Sequence, residues 1–251
     1  MMEALGHIVL TLAGLVGFDT ELMARYGARF VEGFVTTVEI VVFSMLVGAA
    51  IALPTALARL SSNKVLRAIA YAYVYFFRGT PLLAQLFLIY AGLGTVLSGH
   101  RGFLEDIGVW WILRDGFWYV IFAFALNTGA YQAEILRGGI QAVPRSQVEA
   151  GQALGLHDGQ IFRKIVLPQA LIIGLRPLGN ELILMIKASA VASIVTVYDI
   201  MGVTKLVFSR SFDFQVYLWA AIVYLILVEA IRRLWDAMEW RMTRHQRPAG
   251  A

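Results

Sequence analysis

The sequence predicts an all-α transmembrane fold of about five spanning helices with one polar elbow outside the bilayer, and three observations predict it. Of the 251 residues 59% are hydrophobic and only 15% charged, too little charge to cover an ordinary soluble domain. Five apolar stretches reach the roughly 20 residues that a helix needs to cross the hydrocarbon core. Between two of them lies "VEAGQALGLHDGQIFRKIVLPQA" (148–170), a charged, glycine-punctuated segment that ends in proline.

The first span is expected at roughly 33–58, "GFVTTVEIVVFSMLVGAAIALPTALA", and the second at roughly 66–94, interrupted by "FRGTP". The third follows at roughly 117–141, the fourth at 166–187 and the fifth at 214–237. Between the second and third, Trp110 and Trp111 suit a membrane–water interface. No repeat, low-complexity tract or linker divides the chain, so 1–251 reads as one transmembrane domain. The first twenty residues hold a short apolar run without a basic leader region or cleavage site. That argues against a signal peptide and for an interfacial or periplasmic helix.

Composition also excludes classes. A net charge of +4 is too small for a nucleic-acid-binding face, and without cysteine there is no disulfide framework and no thiolate metal site. His7, His100, His157 and His245 are scattered rather than set at metal-ligand spacing. No Ser–His pair, histidine cluster or paired carboxylates at a span end suggest an enzyme.

Orientation follows from the basic residues that flank the spans. Arg59, Lys64, Arg67, Arg137, Arg145, Arg163, Lys164, Arg232, Arg233, Arg241, Arg244 and Arg247, twelve of the 21 Lys and Arg residues, fall on one side. On the other, Arg101 and Arg114 are offset by Glu105, Asp106 and Asp115. The first side is expected to face the cytoplasm, which puts the N-terminus outside and the C-terminus inside. Arg25 and Arg29, ahead of the first span, run against this count.

The 148–170 segment is then a cytoplasmic loop. Ser146 and Gln147 precede a short helical run to Leu154, with Glu149 in its first turn where the helix dipole favours an acid. Gly155 stops it by adopting the left-handed conformation, and a second amphipathic run over 159–166 leads to Pro168. The spacing Glu149-Ala150-Gly151, three residues, Gly155, nine residues, Ile165, one residue, Leu167-Pro168 resembles the "EAA" loop of ABC-transporter permeases. The one departure is Gly151, where that family usually has Ala; it loosens the helix by up to about 1 kcal/mol. The resemblance implies that loop 144–165 is a coupling helix. Glu149, Ala150, Gly151 and Gly155 would then dock it onto a cytoplasmic ATPase.

Ionisable groups in a bilayer core cost roughly 2.5–3.5 kcal/mol on insertion scales and are functional candidates by default. Glu39, Arg78, Glu134, Arg176, Glu181, Lys187 and Glu229 are the ones here. Arg78 precedes Gly79 and Pro81, which break the helix and free backbone groups that only a protein-lined cavity can satisfy; it either lines a path or snorkels to the interface. Glu181, about 20 Å along its helix from Pro168 at 1.5 Å per residue, either meets a cationic group or locks a neighbouring helix. Glu134 and Arg137, three apart on one face, read as a structural pair. Glu39 and Glu229 read as packing or interfacial groups.

"RGTPLLAQLF", "ALNTGAYQAEILRGGIQAVP" and "GNELILMIKASA", spread over about residues 30–240, resemble the polar amino-acid permeases of type I ABC importers. "LSSNK" is especially like the subunits that serve histidine, lysine, arginine and opines. The resemblance implies a non-enzymatic transport subunit in the bacterial inner membrane. Its partners would be a cytoplasmic ABC ATPase homodimer, a second permease that is a sibling chain or a copy of this one, a periplasmic or extracellular solute-binding protein and an amino-acid substrate. The chain lacks a glycine-rich phosphate loop ending in Gly-Lys-Ser/Thr, so no cofactor of its own is expected and ATP is bound by the ATPase. Glu181, Asn180, Arg78 and Gln85 are the candidate substrate-binding residues. Import of neutral or acidic amino acids such as glutamine or glutamate is the alternative within the class; a channel or ion-coupled carrier is the alternative outside it.

Overall fold

The computed structural model describes residues 19–243, and among them every regular element is a helix. Helix α1 (Thr20–Leu60) begins where the Asp19 carboxylate accepts the N–H groups of Glu21 and Leu22, donors that a helix start leaves without partners. Its 41 residues extend about 61 Å at 1.5 Å per residue, twice the hydrocarbon thickness. The stretch expected at 33–58 is therefore only its later part. Its early turns are interrupted by Glu21, Arg25, Arg29 and Glu32, while Tyr26 and Phe30 pack against Val203, Val207, Val216 and Trp219. The N-terminal helix expected within the first twenty residues falls almost wholly outside the described residues.

The second expected span is two helices, α2 (Lys64–Gly79) and α3 (Leu82–Ser98), bent by 110°. Thr80 is extended (φ −117°, ψ 151°), as the ring of a following proline requires. Short turns α4 (Arg101–Asp106) and α5 (Trp110–Leu113) lead to α6 (Gly116–Ala142). Helix α7 (Arg145–Ala153) is followed by α8 (Asp158–Val195), whose π turn over Phe162–Val166 and 3₁₀ end over Ser189–Val195 flank a regular helix. The run expected at 159–166 is thus the first part of α8 and not a separate element. Helices α9 (Ile200–Ser211) and α10 (Gln215–Met242) complete the described chain.

Among the described residues α1, α8 and α10 are long and apolar enough to cross a membrane, or four spans if the bent pair counts as one, against the five expected. Helix α6 is the difference. It carries Asn127, Thr128, Gln132 and Glu134, and it packs between α1, α2, α3 and α8, so those groups face protein rather than lipid. Gly48 of α1 and Gly129 of α6 meet where these two helices cross; a Cβ on Gly48 would stand 2.6 Å from Thr128 Cγ2. Ile40, Leu86, Val120, Phe124, Met185 and Ile186 form the core beside this crossing.

Asp199 pins the α9 end of the bundle. Its Oδ1 accepts the Gly202 N–H at 2.8 Å, capping α9, and its Oδ2 accepts the Tyr224 hydroxyl of α10 at 3.1 Å. The next N–H, of Ile200, donates to Thr37 Oγ1 of α1 at 3.1 Å.

Candidate functional site

The elbow is built by local rules. Gly155 has φ +75°, its N–H donates to the Gln152 carbonyl at 2.9 Å, and the Leu156 N–H reaches back to Gly151 at 3.1 Å. That double bond pattern closes a helix end with a left-handed residue, for which glycine carries no Cβ penalty. The second arm starts in a reciprocal cap. The Gln160 N–H donates to His157 Nδ1, and the Gln160 side chain accepts the His157 N–H. Helix α7 begins at Arg145 behind Pro144, one turn earlier than expected, so Glu149 lies in its second turn and the helix-dipole argument for it lapses.

Gly151 is buried, not part of the outer surface. A Cβ there would stand 2.9 Å from Ile165 Cδ1 and 3.1 Å from Ile161 Cγ1, so glycine lets the two arms close on one another. The departure from alanine therefore tightens the elbow between its arms. Glu149, Ala150 and Gly155 are exposed on the outer side, together with Leu154, which is 80% exposed. The spacing pattern did not single out Leu154.

The α2–α3 bend has its own polar lining. Pro81 offers no N–H to the Phe77 carbonyl, which instead accepts from Gln85 Nε2 at 2.9 Å and Asn127 Nδ2 at 3.0 Å. Arg78, at the bend, lies over the Tyr131 ring at 5.1 Å and reaches within 4.0 Å of the Glu134 carboxylate. Glu134 is also bound by Arg137 at 2.8 Å and by Arg59 of α1 at 3.1 Å. The expected Glu134–Arg137 pair is thus the centre of a cluster of three guanidiniums and one carboxylate. Arg78 is the most exposed of the three, at 43%, and lines a cleft of about 470 Å³ with Tyr75, Phe76, Gly79, Thr80 and Tyr131.

Glu181 is 6% exposed, midway along α8, and accepts the Thr128 hydroxyl of α6 at 2.9 Å. Gln132 in turn donates to Thr128 Oγ1 at 3.2 Å. Among the described residues no Lys, Arg or His forms a salt bridge with Glu181. Asn180, its neighbour in sequence, is exposed on another face of α8. Arg78 and Gln85 therefore share the bend, and α6 links it to Glu181, since Asn127 reaches the bend and Thr128 reaches the carboxylate. Asn127, Thr128 and Gln132 belong to the same polar lining and were not singled out from sequence, though "ALNTGAYQAE" put two amides and two hydroxyls within six residues of an apolar helix.

The other charges are partnered or exposed. Arg176 pairs with Glu239 at 2.6 Å, Glu229 with Arg232 and Arg233 at 2.8 and 2.6 Å, and Glu39 is exposed on α1.

Residues 40–244 match the family model described as "Binding-protein-dependent transport system inner membrane component". The nopaline transport system permease protein NocM of Agrobacterium fabrum is 37% identical over 230 residues, covering 91% of this chain and 94% of that one. The histidine/lysine/arginine/ornithine transport system permease protein HisM of Escherichia coli is 34% identical over 226 residues, covering 89% and 92%. A crystal structure of an amino acid ABC transporter with histidines matches with a TM-score of 0.75 at 32% identity, over 89% of this chain and 98% of that one.

Proposed function

Because the chain belongs to the family of binding-protein-dependent transport system inner membrane components, we propose that it forms the transmembrane pathway of an ATP-driven importer of cationic amino acids, with arginine, lysine, histidine and opines as the substrate class. Glu181 carries the cationic reading. A carboxylate buried in a spanning helix, held by one hydroxyl and by no cationic side chain among the described residues, is expensive unless a cation visits it. Arg78 completes the polar wall, offered to the substrate carboxylate with Gln85 behind it, while Asn180, turned to another face of α8, stands outside it. Glu181 is enclosed between α6 and α8, so a substrate meets it when those helices part.

The chain works as a permease and not as an enzyme. A loaded binding protein docks outside, a pair of cytoplasmic ATPases closes on ATP, and the elbow carries that motion into α8, with which its second arm is continuous. ATP belongs to the ATPase pair, and this subunit holds no cofactor. A second permease chain, sibling or copy, faces it. The N-terminus lies outside and the C-terminus in the cytoplasm, a reading supported by the basic residues gathered at the elbow side. The exposed face of Glu149, Ala150, Leu154 and Gly155 is the ATPase contact.

Import of a neutral or acidic amino acid is the second reading, favoured by the net positive cluster of Arg59, Arg78, Arg137 and Glu134. Glu181→Gln in the reconstituted complex separates the two. The cationic reading expects arginine uptake and arginine-stimulated ATPase activity to fall by about tenfold, the scale of one charge-assisted contact. Unchanged values for both would sink it.

A further inference from the structure

The 110° bend between α2 and α3 opens on one side to the Arg78 cleft and packs on the other against α6, where the backbone carbonyls freed by the bend find protein donors. Two buried amides supply them. Gln85, 2% exposed, directs its Nε2 at the Phe77 carbonyl (2.9 Å), the Thr80 carbonyl (3.0 Å) and Thr80 Oγ1 (2.8 Å). Asn127, 8% exposed, directs its Nδ2 at the Phe77 carbonyl (3.0 Å) and at Gln85 Oε1 (2.9 Å).

The chain between these two carbonyls is Phe77-Arg78-Gly79-Thr80, so both ends of the segment that carries Arg78 are held by one amide pair. Asn127 anchors that pair to α6, the same helix that presents Thr128 to Glu181. A fixed bend fixes the distance between the Arg78 guanidinium and the Glu181 carboxylate. A loose one lets Arg78 shift within its cleft, where the Tyr131 face and the 4.0 Å contact to Glu134 hold its side chain and the Tyr131 hydroxyl donates to its carbonyl at 3.5 Å.

We propose that Gln85 and Asn127 are positioning residues: their amides clamp the α2–α3 bend and thereby set the place at which Arg78 receives the substrate, without either side chain binding substrate itself. This rests on the reading of Arg78 as a residue of the substrate pathway.

The chain has no cysteine, which makes the bend directly measurable. Val65 on α2 and Val96 on α3 are exposed, so spin labels on Val65→Cys and Val96→Cys report the angle between the two helices in the intact complex, its partner subunits also freed of reactive cysteine. Asn127→Leu keeps the volume and removes the donors, and Gln85→Met does the same from the other side, so one variant remains if the other fails to assemble. Both are expected to shift or broaden the label distance. Both should raise the KM for arginine uptake by about tenfold, the scale of a lost bond to a buried group, while the maximal rate changes by less than about twofold. An unchanged distance overturns the clamp, whatever happens to the KM. A shifted distance with an unchanged KM upholds the clamp and sinks instead the reading of Arg78 as a pathway residue.

Discussion

Glu134 and Arg101 show how differently two ion pairs can weigh at the scale of single residues. The Glu134 side chain is 13% exposed and meets Arg59, Arg137 and Arg78, whereas the Arg101–Glu105 pair stands on the surface at 63% and 46%. Removing the shared carboxylate leaves Arg59 and Arg137, 17% and 28% exposed, uncompensated beside the more exposed Arg78. Glu134→Gln is expected to cost about 3 kcal/mol. Arg101→Gln should change stability by less than about 1 kcal/mol. Denaturant midpoints of the detergent-purified subunit check both, and equal shifts would contradict the cluster. Asp199→Ala belongs with the first kind. It uncaps α9 and removes the acceptor of the Tyr224 hydroxyl, and is expected to cost about 2 kcal/mol in the same measurement.

Between elements, the closure of the elbow shapes the proposed ATPase contact. Leu154 and Gly155 sit at its tip, one exposed and apolar, the other at φ +75° where an L side chain carries strain of about 1–2 kcal/mol. Leu154→Glu and Gly155→Arg are expected to reduce the ATPase recovered in co-purification severalfold, or to leave ATP hydrolysis running without uptake. Full recovery with normal coupling would show that the ATPase docks elsewhere. The elbow was legible in the sequence because Glu149 to Pro168 is a local pattern, each residue acting within a few positions. The bend at Pro81 was legible as a break but not as an angle, since one of the two donors to the freed Phe77 carbonyl is Asn127, 46 residues further on. Illegible altogether were the partners of Glu134 on α1 and α2, and the early turns of α1, whose charges hide a face that packs on α9 and α10. Helix α6 was expected as an apolar span; its polar groups are sheltered by neighbours that no single stretch of sequence reveals.

For the whole molecule, the bundle places its polar lining on α6, the bend and the middle of α8, and sets the elbow at the start of α8. One continuous helix thus joins the elbow, the proposed ATPase contact, to Glu181, the proposed substrate carboxylate. Such a path gives a rigid element whose tilt can be read at both ends. The central claim, an ATP-driven permease for cationic amino acids, is tested most directly by uptake of labelled arginine into vesicles holding the complete complex with its binding protein. Uptake is predicted to require ATP and the ATPase subunits, to be competed by excess lysine or histidine, and to be indifferent to glutamine and glutamate. Uptake that proceeds without ATP, or that glutamate competes as well as lysine does, would contradict the account.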